Sequence, residues 1–213
     1  MKKAIITTVI VFLGVAGYSQ HLSLNLYGGY TFQDKVNFSG NTTTPSFYAQ
    51  VNGGFMWGAS LEGVNSTGSG LELQYQYQST NVPLYYQNGG TVLNPNNNSA
   101  TISYLLLNGL HYFQVGAKAE PYFGLGLGAA FFTSHPTDGS TVSSTSATKF
   151  AWDLKTGVLV HASDKVGIKI GAQLLSSQIY SQYYYTYYGY YGTYATLWQF
   201  GFTGGLVFNF GGH

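Results

Sequence analysis

Residues 102–132 read ISYLLLNGLHYFQVGAKAEPYFGLGLGAAFF. Two apolar stretches flank a short turn over residues 114–119, so the segment reads as a β-hairpin. Its second arm carries glycine at every other position, Gly124, Gly126 and Gly128, with Leu125, Leu127 and Ala129 between them. Glycine weakens an isolated strand and often marks a bend or the close approach of another group. A strand face without side chains suits a sheet that curls around a narrow interior, which predicts a small closed barrel. Tyr122 shares the glycines' parity. The glycines are therefore expected to point inward, while Phe123, Leu125, Leu127, Ala129 and Phe131 point out.

The rest of the composition agrees with a barrel in an apolar setting. The 213 residues suit one domain. Only 7% are charged, against roughly 25% in a typical soluble domain, and arginine is absent. Aromatics reach 17%, with 20 Tyr and 14 Phe, and 29 residues are Gly. A soluble surface needs charge to stay dispersed. Here neutral Gln, Asn, Ser and Thr alternate with apolar residues instead. A net charge of +1 offers no electrostatic footprint for nucleic acid. The lack of cysteine excludes disulfides, a lipid-anchored N-terminal cysteine and thiolate metal sites.

At the start, Lys2 and Lys3 precede an apolar run over residues 4–16, and Gly17 and Ser19 stand before a cleavage point ahead of Gln20. This is the pattern of a secretory signal peptide, too short to be read first as a spanning helix. Residues 1–19 are expected to be cleaved, leaving residues 20–213 as one barrel domain. Cleavage removes two of the eight lysines and leaves a net charge of about −1. No later segment reaches the ~18 consecutive apolar residues of a helical span. An exported chain with sparse charge, no helical span and no disulfides points to the outer membrane of a Gram-negative cell.

Period-two alternation marks the strands. From residue 21 to 32, Leu22, Leu24, Leu26, Tyr30 and Phe32 oppose His21, Ser23, Asn25 and Thr31. A second strand is expected over residues 49–63, with Phe55, Trp57, Ala59 and Leu61 opposite Gly58, Ser60 and Glu62. Residues 70–78 alternate strictly, Leu71, Leu73, Tyr75 and Tyr77 against Glu72, Gln74, Gln76 and Gln78. The central pair follows, at 100–113 and 120–132. Further strands are expected at 149–162, 166–174 and 196–210, the seventh leading into a tyrosine-rich segment at 179–194. Residues 33–47, 81–99 and 134–147 read as polar loops.

The result is an all-β, eight-stranded antiparallel up-and-down barrel whose connections alternate long and short, the plan of a transmembrane β-barrel. Both termini are then expected on the short-turn, periplasmic side. The polar face is small and mostly uncharged, fit to pack in a narrow lumen, while the apolar face carries aromatics near the strand ends. That favours lipid outside over the soluble, lipocalin-like alternative.

The hairpin ISYLLLNGLHYF with EPYFGLGLGAAFF resembles the outer-membrane β-barrel domain family, small porin-like proteins of the OmpA, OmpX and OmpW type. FAWDLKTGVLVHASDKVGIKIGAQ, residues 150–173, resembles the hairpin that follows it there. LVFNF, residues 206–210, is similar to the aromatic-ended last strand read by the barrel assembly machinery, although Gly211, Gly212 and His213 extend beyond Phe210. The resemblance spans the mature chain at the level of fold, and it implies a location more than an activity.

Five charges share the inward parity: Glu62, Glu72, Asp153, Lys155 and Lys169. Buried charge demands partners, so Glu62 and Glu72 are expected to meet Lys155 or Lys169 across the lumen, with Asp153 completing the network. A structural plug is the first reading and a proton or ion path the second. His161-Ala162-Ser163 is similar to the His-x-Ser pairing of lipid A deacylases. It falls at a periplasmic turn without that motif's surroundings, so a turn serine and an interfacial histidine are expected instead. His21, His111, His135 and His213 lack metal-ligand spacing. No catalytic, cofactor or metal site is expected.

The tyrosine-rich segment contains Tyr183, Tyr184, Tyr185, Tyr187, Tyr188, Tyr190 and Tyr191. Tyrosine suits interfaces. The segment reads either as a self-packed protruding hairpin or as a contact surface for glycan, protein or a neighbouring barrel. The expected partners are outer-membrane lipid, the barrel assembly machinery and a surface glycan or protein, with no nucleic acid. The first functional reading is a non-enzymatic porin-like barrel with an envelope-structural or surface-contact role. A narrow channel for ions, water or small solutes is the second, and a lipid-modifying enzyme the third.

Overall fold

The computed structural model describes residues 21–38, 47–86, 98–136, 145–185 and 189–210. The cleavage reading of residues 1–19 and the terminal Gly211, Gly212 and His213 lie outside them. The described strands are β1 (His21–Thr31), β2 (Asp34–Phe38), β3 (Phe47–Val51), β4 (Gly54–Val64), β5 (Ser69–Asn81), β6 (Leu84–Tyr86), β7 (Asn98–Tyr112), β8 (Ala119–Pro136), β9 (Thr145–His161), β10 (Val166–Tyr185) and β11 (Gly189–Asn209). Eight of them close an antiparallel barrel in the order β1-β11-β10-β9-β8-β7-β5-β4. Closure comes from β1, which pairs with β4 on one side and β11 on the other. No sheet edge remains within the barrel wall, as lipid requires.

A single cross-strand row shows the geometry. It starts at Ser23 and passes through Glu62, Glu72, Asn108, Gly126, Asp153, Leu175 and Gln199. Ser23 itself pairs with Asn209 on β11, so the row returns to that strand well away from its origin. This stagger tilts the strands and sets the barrel's width.

Side-chain polarity is inverted relative to a soluble barrel. Phe55, Leu125, Leu127, Phe150, Ile170 and Phe202 project outward and exposed. A largely apolar exterior of this kind belongs against lipid rather than water. Near the long-loop end the belt gains aromatic clusters. Phe32 stacks on Phe200 at 5.8 Å and meets Tyr30 and Phe202 edge-on, while Trp152 crosses Trp198 at 5.4 Å.

Turn chemistry fixes the short connections. Asn65 Oδ1 accepts from the backbone N–H groups of Thr67 and Ser69, and Gly68 takes the positive φ that closes the turn. Gln114 and Gly116 also adopt positive φ in the next short turn.

The structure departs from the sequence reading at the opposite end. The strand expected over residues 49–63 is two strands, because the chain turns at Asn52-Gly53. A side chain at Gly53 would run into the Thr31 carbonyl and the Tyr30 hydroxyl, and Asn52 is held on both sides by Asn81 and Thr80. Residues 33–47 and 81–99, expected as loops, contain β2 and β6. These join β3 in a separate three-stranded sheet ordered β2-β3-β6. Its inner face, Val36, Ala49 and Val51, packs on the lumenal residues Ile102, Tyr104, Leu106, Leu175 and Leu197. The sheet therefore caps the long-loop end of the barrel. Asp34 Oδ2 pins it by accepting from the Trp198 backbone N–H at 2.8 Å.

The last two strands outrun the wall. β9 follows β10 only as far as Ser177, and β1 follows β11 only as far as Gly201. Past these points, and past the Phe32 N–H bond to the Phe200 carbonyl, β10 and β11 continue as a pair up to Tyr185 opposite Gly189. The described part of the tyrosine-rich segment is thus an extended two-stranded ribbon.

Candidate functional site

The lumen collects charge among the described residues. All five inward-parity charges lie there. Lys155 Nζ sits 2.6 Å from Glu72 Oε2, and Lys169 Nζ 2.8 Å from Glu62 Oε2. Asp153 lies 3.6 Å from the Lys155 ammonium. Each lysine reaches a carboxylate three strands away around the ring, so the two ion pairs cross the interior. Glu62, Glu72 and Asp153 share the cross-strand row described above, whereas the lysines enter from neighbouring rows.

Neutral groups complete the network. Ser60 donates to Glu72 Oε1 at 2.6 Å, and Asn25 donates to Glu62 Oε2 at 3.0 Å. Asn108 donates to Glu72 and to Gln74, and Lys155 also donates to Gln74. The Lys169 ammonium lies 4.5 Å from the Tyr122 ring centre and 5.3 Å from that of Tyr112, which adds cation–π contact. The inward glycines of β8 make the room. A side chain at Gly126 would collide with Asn108 and Asp153, and one at Gly124 with Leu110 and Lys155.

Toward the cap the charges give way to amides. Gln173 donates to Gln76, and Gln199 donates to Gln78, both at 2.8 Å. The Tyr104 hydroxyl donates to Gln199 at 2.6 Å. Above this lies the apolar cluster under Val36 and Val51. A void of about 30 Å³ among Asn25, Ser60, Glu72 and Lys155 is the size of one or two waters.

At the short-turn end the lumen opens into a vestibule of about 490 Å³. His161 Nε2 there lies 3.3 Å from Glu120, whose Oε1 also accepts from the Gly116 N–H at 2.6 Å. Ser163 Oγ accepts from the Val166 N–H at 3.2 Å and so closes its own turn. That places His161 against a carboxylate and leaves Ser163 in turn duty. His111 lies edge-on to Phe113. Among the described residues no cluster of three or more His, Cys, Asp or Glu could hold a metal ion.

Of the seven tyrosines singled out, Tyr183, Tyr184, Tyr185, Tyr190 and Tyr191 have backbone in the β10–β11 ribbon. Tyr187 and Tyr188 lie outside the described residues. The sequence reading missed Asn108 and the cap residues Val36, Ala49 and Val51. Asn108 was hidden in an otherwise apolar run, although its parity matched Tyr104 and Tyr112.

No protein-family model matches the chain, and no curated protein matches its sequence. Solved structures match its fold. The outer membrane protein OprG from Pseudomonas aeruginosa superposes with a TM-score of 0.68 at 11% identity, covering 92% of this chain and 98% of that one. Neisserial surface protein A gives 0.56 at 12%, covering 89% and 97%. Outer membrane protein AlkL, solved in lipid bilayers, gives 0.54 at 12%, covering 92% and 93%. The chain has the eight-stranded barrel fold of these outer-membrane proteins.

Proposed function

We propose that the chain is a non-conducting, non-enzymatic barrel of a Gram-negative outer membrane, serving envelope structure or surface contact. The observation that carries this reading is the double closure of the lumen. The crossed pairs Glu72–Lys155 and Glu62–Lys169 fill its middle, and Val36 and Val51 seal its long-loop end. An ion would have to separate buried pairs and then cross an apolar layer, both costly steps. The lipid-compatible exterior and the fold shared with outer-membrane proteins support the location. In this reading residues 1–19 are removed on export, the termini and short turns face the periplasm, and the cap and ribbon face outward.

The contact surface is aromatic. The outer face of the cap sheet stacks Tyr48 on Tyr85 at 5.0 Å, with Lys35 Nζ 5.4 Å from the Tyr48 ring centre. The ribbon adds Tyr183, Tyr184, Tyr185, Tyr190 and Tyr191. Tyrosine offers rigid apolar area with a hydroxyl, which suits a glycan or protein partner. Membrane lipid and the barrel assembly machinery are the other partners. The engagement of Ser163 in its turn supports the non-enzymatic reading.

A narrow channel is the second reading, favoured by the vestibule and the small polar void beyond it. Single-channel recording on purified barrel at neutral pH separates the two. The plug reading expects a silent membrane, and steady conductance overturns it.

A further inference from the structure

The charged ring leaves five buried oxygens without a donor; Asn25 Oδ1 and Glu62 Oε1 belong to groups already bonded within the network, whereas the other three meet at one place. Both carboxylate oxygens of Asp153 and Oδ1 of Asn108 lack a hydrogen-bond partner, and both residues are 0% exposed. Oδ1 of each crowds the same point above Gly126, where a side chain would begin. Two acceptors facing each other in a closed lumen are unfavourable unless a proton lies between them.

No neighbouring donor comes within hydrogen-bond length of these oxygens to supply that proton. Both amide protons of Asn108 are engaged, by Glu72 Oε2 at 2.8 Å and by Gln74 Oε1 at 2.7 Å. The Lys155 ammonium is held by Glu72 and Gln74, and its 3.6 Å to Asp153 exceeds hydrogen-bond length. Turning the Asn108 amide over would aim its nitrogen at Asp153 but set its oxygen against Glu72 Oε2. The conflict would move without disappearing. Formal charge leads to the same place. Three carboxylates, Glu62, Glu72 and Asp153, face two ammoniums, Lys155 and Lys169, which leaves one buried negative charge uncompensated.

We propose that the lumen binds one proton on the Asp153 carboxyl, whose O–H donates to Asn108 Oδ1. The bound proton stands in for a third lysine and makes the ring electroneutral. The titratable groups facing Asp153 are Glu72 from β5, Lys155 from its own strand, Tyr122 from β8 and Tyr27 from β1. β7 contributes Asn108, and the Lys169–Glu62 pair from β10 and β4 completes the surroundings. Gly126 is what allows carboxyl and amide to meet.

Infrared spectroscopy of the barrel in lipid vesicles at pH 7 reads the proton directly, because a carboxylic acid absorbs apart from a carboxylate. The expected result is one acid band that moves on ¹³C-labelling of aspartate, disappears in Asp153→Asn and shifts in Asn108→Ala. It stays unchanged in Glu120→Gln, which lies at the vestibule. The isotope experiment uses the native chain, so it decides even where a variant fails to fold. Absence of the band means that a water or a monovalent cation bridges the oxygens, and overturns the proposal. A band that ignores labelled aspartate and vanishes in Glu72→Gln or Glu62→Gln also overturns it.

Discussion

The Lys155 ammonium lies 2.6 Å from Glu72 although 83 residues separate them, and both side chains are almost fully buried. The pair ties β9 to β5, strands that are not neighbours in the barrel wall, across the lumen. A buried pair gains little over an apolar substitute, but losing one member leaves an unpaired buried charge, at about 3–5 kcal/mol. Lys155→Met is therefore expected to destabilise the barrel by about that amount, and Lys155→Met with Glu72→Leu to recover much of it. Urea unfolding in lipid vesicles measures both. A single variant as stable as the native barrel would mean that the pair is not closed in the membrane.

Gly126 tests the space that the network uses. A methyl group there meets Asn108 and Asp153 oxygens, whereas Gly204 has nothing within 4 Å of the corresponding position. Overpacking of a filled interior costs about 1–3 kcal/mol. Gly126→Ala is expected to lose stability in that range, and Gly204→Ala to be neutral. Equal effects at the two positions would show that the lumen yields easily and is not filled.

These two sites also mark what the sequence made legible. Strand parity is a local property with a period of two, so the inward direction of Gly126, Glu72 and Asp153 follows from their neighbours alone. The pairing of particular charges does not. It depends on the stagger that brings the row from Ser23 back to Gln199, a property of the closed ring. The cap was illegible for another reason. Val36 stands in a polar stretch and Ala49 and Val51 read as the start of the strand expected over residues 49–63, and only a barrel mouth lined by Ile102, Leu106 and Leu197 gives them a place to bury.

The cap can be probed chemically, because the chain has no cysteine of its own. Ile102 is 1% exposed beneath Val36. A thiol introduced by Ile102→Cys is expected to resist a water-soluble maleimide from both sides of the membrane. Adding Val36→Asp places an unpaired charge in the apolar layer and is expected to raise the labelling rate at least tenfold. Fast labelling of Ile102→Cys alone would show that the mouth stands open and would favour the channel reading.

The tyrosine ribbon should be separable from the barrel that carries it. The backbone of residues 178–185 pairs with that of 189–196 beyond the reach of β9, so the ribbon stands outside the ladder that closes the ring. Replacing Tyr183, Tyr184, Tyr185, Tyr190 and Tyr191 by serine is expected to leave urea unfolding unchanged and to abolish binding of cells or surface glycans. Binding that survives the replacement would move the contact surface to the Tyr48–Tyr85 face of the cap. Loss of barrel stability would instead assign the tyrosines a packing role.

The polarity of the whole molecule rests on which medium meets the exterior. The chain has three tryptophans, and all lie on the outward parity, Trp57 on β4, Trp152 on β9 and Trp198 on β11. Trp57 and Trp198 are about half exposed, and Trp152 lies edge-on to Trp198. In bilayers containing brominated acyl chains their fluorescence is expected to be strongly quenched, while iodide in the aqueous phase has little effect. The opposite pattern would place the apolar face in water. A charge-poor exterior in water would aggregate, so that outcome would overturn the membrane reading together with the direction assigned to every strand face.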